Sequence, residues 1–162
     1  MGTEFERKFL VRGGAWRKAA RKRVAMEQGY LSDLGGRASV RVRLEGRSAR
    51  LNIKAAVVGS RRAEFDYPAP AADARALLKL AVGRVSKVRH YVRFGGLLWE
   101  VDEFKGDNAG LVVAEVELDR VRQKFARPEW LGREVTRLHR YYNHALAMRP
   151  YKRWKASEKN GR

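Results

Sequence analysis

Glu4, Glu6 and Lys8 fall at alternate positions, with Phe5, Arg7, Phe9 and Val11 around and between them. A β-strand sends successive side chains to opposite faces, so the three charged groups would share one face. Two carboxylates so placed can hold a divalent cation through hard oxygen ligands, and the lysine can hold an anion that the cation also touches. A solvated edge strand would show the same alternation, because charged residues are mostly exposed. The two readings separate only if sorted charge recurs elsewhere in the chain.

It does recur. Arg41 and Arg43 lie opposite Val40, Val42 and Leu44, and Lys54 lies opposite Leu51 and Ile53. Glu64 and Asp66 alternate with Phe65 and Tyr67; Lys87, Arg89, Tyr91 and Arg93 alternate with Val88, His90, Val92 and Phe94. Glu100 and Asp102 oppose Trp99 and Val101, and Glu115, Glu117 and Asp119 oppose Ala114, Val116 and Leu118. Residues 24–34 read as a further strand containing Gly29. Gly35-Gly36, Gly46-Arg47-Ser48, Gly59-Ser60 and Gly95-Gly96 read as turns. Residues 15–23 suggest a short basic helix or turn, 71–80 a helix after Pro68 and Pro70, and 133–147 a C-terminal helix.

About eight strands joined by short turns argue an antiparallel sheet in an α+β fold. A sheet with one wet face would suffice, but its charges would be mixed. Acids and bases sorted by strand favour an eight-stranded closed β-barrel with a charged interior, which also removes exposed edges. The helices at 71–80 and 133–147 would then cover its apolar outside. One domain is expected over residues 1–150, with 151–162 a loose basic tail. There is no cysteine, hence no disulfide or thiolate metal site. The short, charge-interrupted apolar stretches predict no transmembrane helix, and a cytoplasmic protein is the default. A net charge of +18 favours anionic partners without specifying which.

Taken together, these pieces resemble the CYTH family, also called the triphosphate tunnel metalloenzymes. Glu4-Phe5-Glu6-Arg7-Lys8 matches the family's Glu-x-Glu-x-Lys signature. Glu27-Gln28-Gly29-Tyr30-Leu31, Arg41-Val42-Arg43, Lys54, Lys87-Val88-Arg89 and Glu115-Val116-Glu117 follow in the family's order. Glu134-Val135-Thr136, Arg140-Tyr141 and Asn143 are similar to the end of the short bacterial members. The resemblance implies an eight-stranded antiparallel tunnel that binds triphosphate compounds with a divalent metal. Family activities include class IV adenylate cyclase and thiamine, RNA and inorganic triphosphatases. The string Glu6-Arg7-Lys8-Phe9-Leu10 looks most like inorganic triphosphatases. Leu138 and His139 depart from the pattern, where short members often carry Asp and Lys.

On this resemblance Lys8, Arg41, Arg43, Lys54, Lys87 and Arg89 are expected to hold phosphates, arginine by its paired donors and lysine as a point charge. Glu4, Glu6, Glu115 and Glu117 are expected to hold Mg2+ or Mn2+. Lys87, Arg89, Glu6 and Glu117 are the expected catalytic set, for a reaction that needs positioning, charge neutralisation and an in-line water. Glu64, Asp66, Glu100 and Asp102 could ligate metal or form internal ion pairs, and Tyr30 could lock a lysine or simply line the barrel. His90, His139 and His144 are not spaced as a metal set, and no Ser or Thr stands in a nucleophile setting. An adenylate cyclase is the first alternative. The second is a non-catalytic binder of polyphosphate or RNA, using residues 17–23, 149–155 and Arg120, Arg122, Lys124, Arg127, Arg133 and Arg137. Monomer and homodimer both remain open.

Overall fold

The computed structural model describes residues 5–32, 37–55, 64–120 and 122–160. Glu4 and the turns expected at Gly35-Gly36 and Gly59-Ser60 lie outside the described residues. The strands are β1 (Phe5–Val11), β2 (Ala20–Tyr30), β3 (Ala38–Glu45), β4 (Ser48–Ala55), β5 (Glu64–Ala69), β6 (Gly83–Phe94), β7 (Leu97–Phe104), β8 (Val112–Leu118) and β9 (Leu131–Glu134). The helices are α1 (Ala15–Ala19), α2 (Ala71–Lys79), α3 (Asn143–Met148) and α4 (Ala156–Lys159). The β6–β7 hairpin turns at Gly95 and Gly96, both at positive φ (59° and 78°), which a two-residue turn of matching twist requires.

All strand pairs are antiparallel, in the order β5-β4-β3-β2-β6-β7-β8-β1-β9. The expected eight-stranded closed barrel is therefore corrected. Among the described residues the sheet has nine strands, with β5 and β9 as its two ends and no pairing between them. The ninth strand falls where a helix over 133–147 was expected. Its backbone bonds to β1 rather than to itself: Arg12 N donates to Trp130 O at 2.8 Å and Val135 N donates to Lys8 O at 2.8 Å. What remains of that helix is a 3-10 turn at His139–Tyr141 and the six-residue α3. The basic stretch 15–23 likewise divides into α1 and the start of β2.

The apolar face carries two clusters. Phe9, Val92, Trp99, Val101, Ala114 and Val116 pack under Trp16 of α1 and Trp130. Val42 and Ala49 pack under Ala74 and Leu78 of α2. Each fully buried side chain of this kind contributes roughly 1.5–3 kcal/mol. Gly29 is required where β2 meets α2, since a Cβ there would lie 2.7 Å from Ala81 Cβ.

The face that carries the charges has an apolar end of its own. Val85, Phe104 and Val113 continue the alternation of Lys87, Asp102 and Glu115, and they pack against Val135, Tyr141, Leu146 and Trp154. The C-terminal segment thus covers one end of the charged face, whereas the sequence placed its helix on the apolar outside. Residues 151–160, expected to be a loose tail, dock here. Trp154 is 5% exposed, its indole Nε1 donates to Arg149 O at 3.1 Å, and Tyr141 Oη donates to Glu158 O at 3.0 Å. A buried tryptophan outweighs the solvation of the basic residues around it. Among the described residues no helix is long and apolar enough to cross a membrane.

Candidate active site

Register brings the charged residues together. Across β6–β7, Arg89 faces Asp102 and Tyr91 faces Glu100; across β7–β8, Glu100 faces Glu115; across β1–β8, Lys8 faces Glu115 and Glu6 faces Glu117. Directly opposed residues share a face and lie close enough to interact. Lys8, Lys87, Asp102 and Glu115 are all buried, at 3%, 3%, 0% and 8% exposure. Buried charges persist only where they are paired and hydrogen-bonded, and these are. Lys87 Nζ donates to Asp102 Oδ2 at 2.5 Å. Arg89 donates to both Asp102 oxygens, at 2.7 and 2.8 Å, to Glu115 Oε2 at 3.2 Å, and to Glu100. Lys8 Nζ donates to Glu115 Oε1 at 2.5 Å and pairs with Glu6. Five of the predicted residues, Glu6, Lys8, Lys87, Arg89 and Glu115, thus lie in one neighbourhood with Glu100 and Asp102, named only as additional candidates, and Glu117 is beside Glu6 in register.

The protonation states follow. Burial disfavours the Asp102 carboxylate, but Lys87 and Arg89 outweigh it and hold the group below its usual range. Burial lowers the Lys87 ammonium, because Asp102 is shared with Arg89, whose charge also opposes it. Burial would lower Lys8 as well, but Glu115 and Glu6 together raise it. Arg89 is raised despite its burial, by Asp102, Glu115 and Glu100.

A cavity of about 270 Å³ opens beside this network, lined by Glu6, Glu100, Glu115, Glu117 and Asp119 and, among the described residues, by no cation. Among the described residues no three carboxylates or histidines yet converge as a finished metal site; Glu6 and Glu115 are engaged by Lys8, and Glu4 is outside the described residues. The donor set is nevertheless all hard oxygen, which suits a divalent cation. Burial pushes the Glu100 carboxyl above its ordinary value; Arg89 opposes this, and Glu115, Asp102 and Glu117 add to it. That is the strain a cation in the cavity would relieve.

A pH-dependent test follows from Glu100. Its folded-state pKa lies above the unfolded value of ~4.3, so its contribution is fully present below ~4.3 and is lost as pH rises through the folded value. Glu100→Gln is neutral throughout. In chelator-treated protein its melting temperature should therefore gain on wild type as pH rises from ~4.3 through the folded value. A gap that stays flat or reverses across that window, measured by thermal denaturation, would contradict the electrostatics.

The other predicted residues form a second patch on the same face, beyond β2. Lys54 Nζ lies 3.1 Å from Glu64, which also accepts from Asn52 Nδ2 at 2.8 Å, and Arg43 Nε lies 3.5 Å from Glu45. Asp66 is exposed and bonded to Arg50 at 2.7 Å, outside the network. Tyr30 lies opposite Arg41, not beside a lysine; burial raises its hydroxyl pKa, and Arg41 opposes the shift. Arg41 Nε is buried with no hydrogen-bond partner among the described residues. His90 packs edge-on against Trp16 on the apolar face, away from the site.

Sequence reasoning gave no role to three groups that touch the network. Asn143 Oδ1 accepts from Lys87 Nζ at 3.4 Å, the Tyr142 ring lies 4.8 Å from Lys8 Nζ, and Thr136 Oγ1 accepts from Lys8 N at 3.0 Å. All three are in the stretch expected to be one helix. The family-like Thr136 and Asn143 marked it as more than packing, whereas Tyr142 carried no such signal.

Residues 2–147 match the CYTH domain family. The chain is 41% identical over 157 residues to an inorganic triphosphatase of Acetivibrio thermocellus, covering 96% of this chain and 99% of that protein. It is 33% identical over 150 residues to an inorganic triphosphatase of Nitrosomonas europaea, covering 90% and 97%. A crystal structure of an inorganic triphosphatase superposes with a TM-score of 0.76 at 32% identity, over 91% of this chain and 96% of that one. Register, buried ion pairs and sequence identity agree, and the chain belongs to the CYTH domain family.

Proposed function

We propose that this protein hydrolyses inorganic triphosphate, with magnesium or manganese as its cofactor. The observation that carries this reading is one sheet face divided between cations, the buried Lys8 and Lys87 and the half-buried Arg89, and a cavity walled by carboxylates. The inorganic triphosphatases of similar sequence support the choice of substrate.

Glu6, Glu115 and Glu117, with Glu4, would hold the divalent ion, which supplies charge neutralisation at the phosphates and a more acidic water. Lys8, Lys87 and Arg89 bind phosphoryl oxygens around the reacting group. Arg41, Arg43 and Lys54 hold the more distant phosphates, and the partnerless Arg41 Nε is a donor that a phosphate oxygen would satisfy. The internal ion pairs act as placeholders: once Glu6 and Glu115 turn to a cation, the Lys8 ammonium is free for an anion. Asp102 and Asn143 keep Lys87 and Arg89 aimed. With donors fixed before substrate arrives, charge developing on the phosphates is stabilised without reorganisation.

Phosphate release from inorganic triphosphate, ATP, thiamine triphosphate and pyrophosphate, each with magnesium, manganese or chelator, tests this. Inorganic triphosphate should be turned over fastest and chelator should abolish release. Cyclic AMP formed from ATP, or release unaffected by chelator, would overturn the reading.

A further inference from the structure

Apart from the cavity beside the buried charges, a groove of about 1030 Å³ runs along β1, β9 and the segment before β9. Its wall carries Arg122, Lys124, Arg127, Arg133 and Arg137. None of these five lies within ion-pair distance of a carboxylate among the described residues. The two acids in the wall are already engaged: Glu134 accepts from Arg7 Nε at 2.9 Å and from Thr136 at 2.7 Å, and Glu6 is held by Lys8. Arg127 donates to Gly132 O at 3.1 Å and its charge acts on Glu134, but the other four cations repel one another and focus a positive potential into the concavity. A polyanion relieves that repulsion, and the volume, at the upper end for small-molecule sites, suits an extended one.

The floor narrows the choice. Phe5, Phe125 and Leu138 line it, all half-buried. Leu138 stands where the family resemblance leads one to expect an acidic residue. Inorganic polyphosphate has no apolar surface to place against Phe5 and Leu138, whereas a nucleobase does. Cations tracking a backbone, with an aromatic ring for bases, are the arrangement that binds single strands without sequence preference.

We propose that this groove binds single-stranded nucleic acid, its phosphates on Arg122, Lys124, Arg133 and Arg137 and its bases against Phe5 and Leu138. Glu6 lines both this groove and the carboxylate cavity, so a bound strand would run past the mouth of the proposed active site. The inference goes beyond the triphosphatase reading and does not rest on it.

The test is fluorescence anisotropy with an oligouridylate of about twelve nucleotides, bearing a 5′-hydroxyl so that no triphosphate is present. Binding should weaken with salt with a logarithmic slope of about −3, as for four or five phosphate contacts. Arg133→Glu with Arg137→Glu should weaken binding by about tenfold or more, while the matched reversal Arg153→Glu leaves it unchanged. Melting temperatures within a degree or so of wild type would show that the variants fold. Leu138→Asp should weaken the oligouridylate more than an inorganic polyphosphate of equal phosphate number. Retained affinity in the Arg133/Arg137 variant, or equal loss for both polymers in Leu138→Asp, would overturn the proposal; the second outcome would mean a groove that senses charge alone.

Discussion

Arg89→Ala should lower hydrolysis of inorganic triphosphate by ~10²–10³-fold, the usual cost of losing one well-placed electrostatic group. Arg89 is the only side chain among the described residues that bridges Asp102, Glu100 and Glu115, and so joins the cationic side of the site to the carboxylate cavity. Its planar fork is already committed to two Asp102 oxygens, which fixes the direction of its remaining donors. Arg89→Lys should recover little, because an ammonium cannot hold Asp102 in two bonds while reaching a phosphate. Initial rates of phosphate release, with Arg153→Ala as a surface control, measure the effect. Activity within a few-fold of wild type would remove Arg89 from the site.

The largest stability effect is expected at Asp102. This carboxylate is 0% exposed and is the shared counter-ion of Lys87 and Arg89. Asp102→Asn keeps the shape and removes the charge, leaving two buried cations without their common partner. Breaking a buried pair on one side costs about 3–5 kcal/mol, because the stranded charge stays desolvated. In a domain of this size that is a fall of about 6–20 °C in melting temperature. Saturating triphosphate should return part of the loss, since phosphate oxygens can take over the pairing and bind only the folded state. A melting temperature unchanged in Asp102→Asn would mean that Lys87 is neutral in the folded protein and that Arg89 is served by Glu100 and Glu115 alone.

Alternation was legible in the sequence because it is local. The faces of β3, β6, β7 and β8 follow from period two, and so does the grouping of Lys87 with Arg89 and of Glu115 with Glu117. Closure was not legible, since it depends on which strands meet at the ends of the sheet. The four residues of β9 carry no alternation of their own, and β1 recruits them through backbone bonds that side-chain types do not advertise. Leu138, Tyr141, Tyr142 and Leu146 have helical spacing, but Tyr141 and Leu146 are buried against the apolar end of the charged face, where two short turns serve better than one long helix. For the same reason Asn143 and Tyr142 could not be aimed from sequence: their direction is set by that docking, not by period. Asp102 read as one acid among several. Its place as the hub for Lys87 and Arg89 comes from the β6–β7 register, and the turn at Gly95 and Gly96 would have been enough to count that register out.

The position of β1 between β8 and β9 sets an order of assembly. Arg89 and Asp102 are 13 residues apart and meet as soon as one hairpin closes, whereas Lys8 and Glu115 are separated by 107 residues. Hairpins form fast, and contacts distant in the chain are delayed by the entropy of closing the loop. The cationic half can therefore be in place early, while Glu6 and Lys8 wait until β8 exists to receive the strand that carries them and β9 can then dock on it. During synthesis β1 precedes the other strands yet stays unpaired until β8 has formed, so a nascent chain holds bases poised for phosphate but an incomplete set of acids for a metal. Catalytic competence would then switch on only once β1 has joined the sheet, and its docking would act as the proofreader.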